Sequence, residues 1–148
     1  MRIDFYHLTR SGAHDVLPAL AEKLLVGNER LLVVAEDVDM LATLDTALWT
    51  AKPKSFLPHA IAGREGNDDA GEPILLSPNC TPINAARNIA LADGQWRDGA
   101  LAFDRVFYLF DAASIDAARA AWKMLGSDDT RERHYWKQDE AGRWREGP

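Results

Sequence analysis

The chain has 148 residues, 47% of them hydrophobic and 5 of them tryptophan, which suffices to bury the core of one domain and excludes a disordered chain. Its 17 Lys and Arg stand against 23 Asp and Glu, and a net charge of −6 argues against wholesale binding to nucleic-acid phosphate, which draws on a clustered positive field. The longest apolar runs, such as Leu31 to Ala35, are too short to cross a bilayer, and charge interrupts the apolar pattern at Arg2 and Asp4, so neither a membrane span nor a signal peptide is expected and the expected location is the cytoplasm. Cys80 stands alone, which excludes an internal disulfide and a thiolate metal site.

Arg2 to Leu8 alternates polar with apolar residues at Ile3, Phe5 and His7, the pattern of a strand. Apolar residues then recur at Val16, Leu17, Leu20, Ala21, Leu24 and Leu25, which predicts an amphipathic helix with Pro18 near its start and Gly27-Asn28 at its end. Leu31 to Ala35 reads as a strand covered on both faces in a parallel sheet. Glu36-Asp37 is placed to start a helix carrying Met40, Leu41, Leu44 and Leu48, with Trp49 at its end.

Ala51 to Pro73 is rich in Pro, Gly and charge and is expected to be mostly loop. Pro73 to Leu76, Asn88 to Leu91 and Arg105 to Phe110 are strand candidates, and a helix follows from Ser114, its expected N-cap, to Leu125 before Gly126. In the tail, two aromatic and charged runs around Glu140-Ala141-Gly142 predict a β-hairpin. Alternating strands and helices indicate a single α/β domain over residues 1–148, a mainly parallel sheet flanked by helices and closed by this C-terminal β-hairpin.

Catalytic patterns are missing from this frame. The turn after the first strand, Leu8 to His14, holds one glycine and neither of the glycine-rich phosphate-binding motifs. His7, His14, His59 and His134 show no short metal-ligand spacing, Cys80 between Pro78 and Pro82 has no base beside it, and Ser55 lacks the nucleophile-elbow glycines. No metal, cofactor or catalytic residue is therefore expected. The rival reading is a small α/β enzyme with its crevice at the C-terminal strand ends near Ser11, Glu36 and Asp37.

The least ordinary residue choices are Asp45-Thr46-Ala47-Leu48-Trp49, followed by Ser55-Phe56-Leu57-Pro58-His59. This pairing resembles the chi subunit family of bacterial DNA polymerase III holoenzyme. Phe5-Tyr6, Val33 with Glu36-Asp37, the strand Val106 to Phe110, and the helix with Ala118-Arg119 and Trp122-Lys123 fall in that family's order, over residues 1 to about 125. The resemblance implies a Rossmann-like fold without nucleotide binding and a noncatalytic accessory subunit of the clamp-loader assembly. Such a subunit joins that assembly through the psi subunit and holds the acidic C-terminal tail of single-stranded DNA-binding protein, SSB. A chi-like partner of a repair helicase is the related alternative.

An acidic tail ending in an aromatic residue calls for cations around an apolar pocket. Residues 114 to 148 carry 7 of the basic residues and 7 of the acidic ones, against 10 and 16 in residues 1 to 113. By the resemblance, Arg119, Trp122 and Lys123 form the tail site. Ile115 stands where the family has a lysine, and Arg131 and Arg133 are candidate substitutes. Helical spacing alone also allows Trp122 to be plain core. Trp49, Phe56, Leu57, Pro58 and His59 are expected to form the apolar patch that the resemblance assigns to the psi contact, with His59 a hydrogen-bonding loop residue, the alternative being that Trp49 and Phe56 only pin the loop to the sheet. Trp136 and Trp144, with Lys137, Arg143 and Arg145, either stack on single-stranded DNA bases or pack across the hairpin.

Overall fold

A computed structural model describes residues 1–51 and 57–147. The elements run β1 (Arg2–His7), α1 (Ala13–Val26), β2 (Leu31–Val34), α2 (Val38–Thr50), β3 (His59–Ile61), β4 (Ile74–Ser77), β5 (Asn88–Leu91), β6 (Arg105–Phe110), α3 (Ile115–Leu125), β7 (Glu132–Gln138) and β8 (Trp144–Glu146). They form one sheet in the order β3-β4-β2-β5-β6-β1-β7-β8, parallel except for the β7–β8 hairpin. The architecture is mixed α/β and Rossmann-like, as the strand and helix alternation predicts.

The sheet is buried on both faces in its middle, which is why β2 needs no polar alternation: all four of its residues are buried. One face packs Leu31, Val33, Ile74, Leu76, Phe107 and Leu109 against α1 and α2. The other packs Ile3, Phe5, Leu32, Val34, Val106, Tyr108 and Phe110 against α3. The two helices on one side and the single helix on the other leave the α3 face only partly roofed, and the edge strand β7 forms its margin.

Two local expectations are corrected. Helix α1 begins at Ala13, so Pro18 lies inside it and is buried, and the missing N–H leaves one carbonyl of the first turn without its helical partner. Ser114 makes no cap bond with its side chain to α3. A short 3-10 turn, Ala112–Ser114, precedes the helix, and the Asp111 carboxylate accepts from the N–H groups of Ala113 and Ser114 instead. The stretch from Ala51 to Pro73, expected to be mostly loop, also holds the three-residue β3, which pairs in parallel with β4. Asp37 does cap α2, accepting from the Asp39 N–H at 2.8 Å.

The tail hairpin is anchored to the sheet through β1. Trp136 Nε1 donates to Asp4 Oδ1 at 2.9 Å, and the fully buried Asp4 carboxylate also pairs with Arg2 and Arg105. Trp136 stacks parallel to the ring of Tyr6 and Trp144 meets it edge-on. The two tryptophans are not directly opposed across the hairpin, since Trp136 faces Glu146 and Trp144 faces Gln138; they converge on Tyr6. Both indoles are partly buried there.

Candidate functional site

A cleft of about 320 Å3 opens where α3 leaves the sheet margin uncovered, lined by Phe5, Phe110, Ile115, Ala118, Arg119, Trp122 and Tyr135. Phe5 and Phe110 come from β1 and β6 and form its apolar floor. Trp122 meets Phe5 edge-on at 5.1 Å between ring centroids, an arrangement aromatic rings favour because positive edge meets negative face. The helix repeat brings Ile115, Ala118, Arg119 and Trp122 to one side. On the far side stands Tyr135 of β7.

Of the residues expected at the tail site, Arg119 and Trp122 line this cleft. Arg119 is 74% exposed and 3.9 Å from Asp116, an exposed pair of little strength, so its charge is available to a ligand. Lys123 is exposed one turn further along α3. Arg133 lies over the Trp122 ring at 4.2 Å and donates to the Trp122 carbonyl at 2.6 Å, so it fixes the indole and adds positive charge behind it. Arg131 pairs with Asp128 at 3.6 Å and is not among the lining residues. Ile115, in place of a cation, makes the wall apolar.

The reading of the sequence missed Tyr135, Phe110 and His7. Tyr135 and His7 are joined by a hydrogen bond of 2.8 Å between the phenol oxygen and Nδ1, and the His7 ring stacks on Phe110 at 4.9 Å. Burial pushes the Tyr135 phenol up, opposed by Arg119. Burial first, and Lys137 and Arg119 after it, hold His7 below its ordinary range, with Asp111 opposing. The period of two along β7 sets Arg133, Tyr135 and Lys137 on one face, but it does not report which strand β7 lies against.

The corner of α2 and β3 is built differently. His59 is buried, its Nδ1 2.6 Å from the Leu57 carbonyl and its Nε2 3.0 Å from the Asp45 carboxylate, so it ties the loop to α2. Trp49, 50% exposed, lies against the His59 ring at 4.5 Å. Leu57 is buried and Pro58 half-buried, which leaves Trp49 as the exposed apolar member, and Phe56 lies outside the described residues.

Elsewhere, a larger depression of about 650 Å3 between α1 and α2 is lined by Asp15, Glu22 and several threonines, the wrong lining for an acidic ligand. Ser11 accepts a hydrogen bond from Gln138 and Asp37 caps α2, so two of the three residues of the enzyme reading are engaged in holding local structure. Burial raises the Cys80 thiol, which lowers its thiolate fraction. Among the described residues no group of three His, Cys, Asp or Glu is placed to hold a metal ion, and no helix is long and apolar enough to cross a membrane.

This is an α/β protein whose aromatic cleft, with a cationic lip, sits at the margin of a parallel sheet rather than over a phosphate-binding loop. The family model described as DNA polymerase III chi subunit, HolC, matches residues 1–131. The chain belongs to that family, whose members are accessory, noncatalytic subunits of DNA polymerase III. No curated protein matches it.

Proposed function

We propose that this chi-family subunit works in the cytoplasm as a tether in the clamp-loader assembly, holding the acidic C-terminal tail of SSB in the α3–β7 cleft and meeting a psi subunit at the Trp49 corner. The observation that carries the tail site is the pairing of an aromatic floor, Phe5 and Phe110 under Trp122, with the exposed Arg119 at its lip. A terminal aromatic ring fits the floor, and the acids before it meet Arg119 and Lys123, with the charge of Arg133 nearby. The Trp49 corner suits a different partner. Its polar groups are satisfied internally by His59 and Asp45, so what it offers is an indole face, the kind of side chain that anchors protein interfaces.

The test is the affinity of the whole chain for a fluorescent peptide of its own organism's SSB C-terminus, at low and moderate salt. Micromolar binding, about −8 kcal/mol, that weakens with salt is expected. Lys123→Glu replaces attraction with repulsion and is expected to weaken binding roughly ten-fold or more, since a hydrogen bond to a charged group contributes about 1.5–3 kcal/mol. No binding at either salt overturns the tail assignment and moves the search for a partner to Trp49.

A further inference from the structure

The family match ends at residue 131, but the cleft is completed by a residue beyond it. Tyr135 belongs to β7, which runs parallel beside β1 with Phe5 opposite Tyr135 and His7 opposite Lys137. The group that holds the Tyr135 hydroxyl is His7, a residue only 9% exposed and fixed in orientation by its stack on Phe110. A tyrosine hydroxyl has one proton to give and can also accept. With the proton of His7 on Nδ1, the imidazole donates to the phenol oxygen, and the phenol's own proton is left for another acceptor. Tyr135 and Arg119 line one cleft, and the Arg119 charge is felt at both Tyr135 and His7. A guanidinium and a neutral O–H donor over an aromatic floor suit a carboxylate attached to an aromatic residue.

We propose that Tyr135, positioned by His7, is a specificity-determining residue of the cleft, donating a hydrogen bond to the free terminal carboxylate of a peptide whose last side chain is aromatic while Arg119 pairs with the same carboxylate. This rests on the cleft being a peptide-tail site. It adds a neutral O–H donor beside the guanidinium: an internal Asp-Phe sequence or an amidated terminus presents no charged carboxylate to either group.

The role of His7 gives the contact a pH dependence. In its other neutral tautomer His7 accepts the hydrogen bond of the tyrosine O–H at Nδ1 and leaves only phenol lone pairs facing the ligand, whereas the imidazolium permits only the arrangement in which Tyr135 donates. The charged groups around it are Arg119 on α3, Lys137 on β7 and Asp111 after β6, besides the Tyr135 phenol. The two cations disfavour the imidazolium, and a bound carboxylate offsets them, so ligand binding and protonation of His7 support each other.

The experiment uses the whole chain and a fluorescent oligo-aspartate peptide ending in phenylalanine, prepared as the free acid and as the C-terminal amide. Amidation is expected to weaken binding to the wild type about ten-fold, the loss of a charged hydrogen-bonded contact. Tyr135→Phe, checked for an unchanged melting temperature, should weaken binding of the free acid by a similar factor and of the amide by less than about two-fold, the non-additivity that marks a direct contact. Binding of the free acid by the wild type should tighten from about pH 7.5 to about pH 5.5, a range in which the peptide's own carboxylates stay ionised. His7→Gln, whose amide still donates to the phenol without titrating, should keep the affinity at neutral pH and lose the pH slope. If Tyr135→Phe affects both peptides equally or neither, or if amidation of the peptide changes nothing, the carboxylate contact is wrong and the tail site stands without it. If the wild type binds neither peptide, the tail site itself fails and this contact with it.

Discussion

The α3–β7 cleft and the α2–β3 corner each combine aromatic rings with a histidine, and they use them in opposite ways. At the corner, His59 is buried with both ring nitrogens against oxygens of the protein's own chain, and Trp49 lies outside it. In the cleft the rings lie inside and the cation Arg119 points out, its one ion pair among the described residues being with an exposed aspartate. The difference separates two kinds of surface. Where polar groups are satisfied internally, what the exposed ring offers a partner is chiefly apolar area. Where the rings form a floor and the charge is left at the lip, the surface selects a ligand that is both acidic and aromatic.

The strongest way to break the comparison is to remove the cleft floor. Phe5 is fully packed, meeting Tyr108, Phe110 and Trp122. Phe5→Ala leaves a cavity under α3 and is expected to cost about 3–5 kcal/mol in chemical denaturation, and to abolish acidic-peptide binding. A cost under about 1 kcal/mol would mean that the floor is not packed as described and that the cleft has no fixed shape.

A smaller effect is expected at the corner. His59→Ala removes the tie between Leu57 and Asp45 and is expected to cost about 2 kcal/mol, since each lost buried hydrogen bond costs about 1 kcal/mol and more where a charge is involved. Acidic-peptide affinity should stay within about two-fold of wild type, because distant sites without shared partners behave additively. A parallel loss of affinity would show the two surfaces to be coupled and the comparison between them to be false.

What the sequence disclosed follows the range over which each feature is decided. Leu31 to Ala35, Asn88 to Leu91 and Arg105 to Phe110 could be read as strands because burial on both faces leaves a local apolar signature. β3 left none: it is three residues long and opens with His59, whose burial depends on Asp45, fourteen positions earlier. The cleft divides likewise. Arg119 and Trp122 share a helix face and are carried by the family resemblance. Tyr135 reaches them only because β7 lies against β1, a pairing across about 130 residues that no local period reports. The Ser114 cap failed for a related reason, the 3-10 turn having moved the unpaired N–H groups back to where Asp111 could serve them.

The smallest predicted effect sharpens the contrast between two histidines on neighbouring strands. His7 is held below its ordinary range chiefly by burial, whereas His134, on the opposite face of the sheet, is raised, first by its hydrogen bond to Glu146 and against burial and Arg2. Its Nδ1 donates to Glu146 Oε1 on β8, and its Nε2 lies 3.5 Å from Glu132, a contact that becomes an ion pair when the ring is charged. A histidine raised on folding stabilises fully below its unfolded value of about 6.5, and that contribution fades as pH rises through the higher folded value. The attachment of β8 to β7 should therefore loosen as pH rises above about 6.5, read as falling hydrogen-exchange protection factors at the β8-side amides bonded to β7, Arg145 and Gly147. His134→Gln should flatten that dependence and leave the His7-dependent slope of peptide binding intact. Protection that rises with pH in the wild type would show that Glu146 does not hold the charged ring, and that the hairpin is anchored through Trp136 and Asp4 alone.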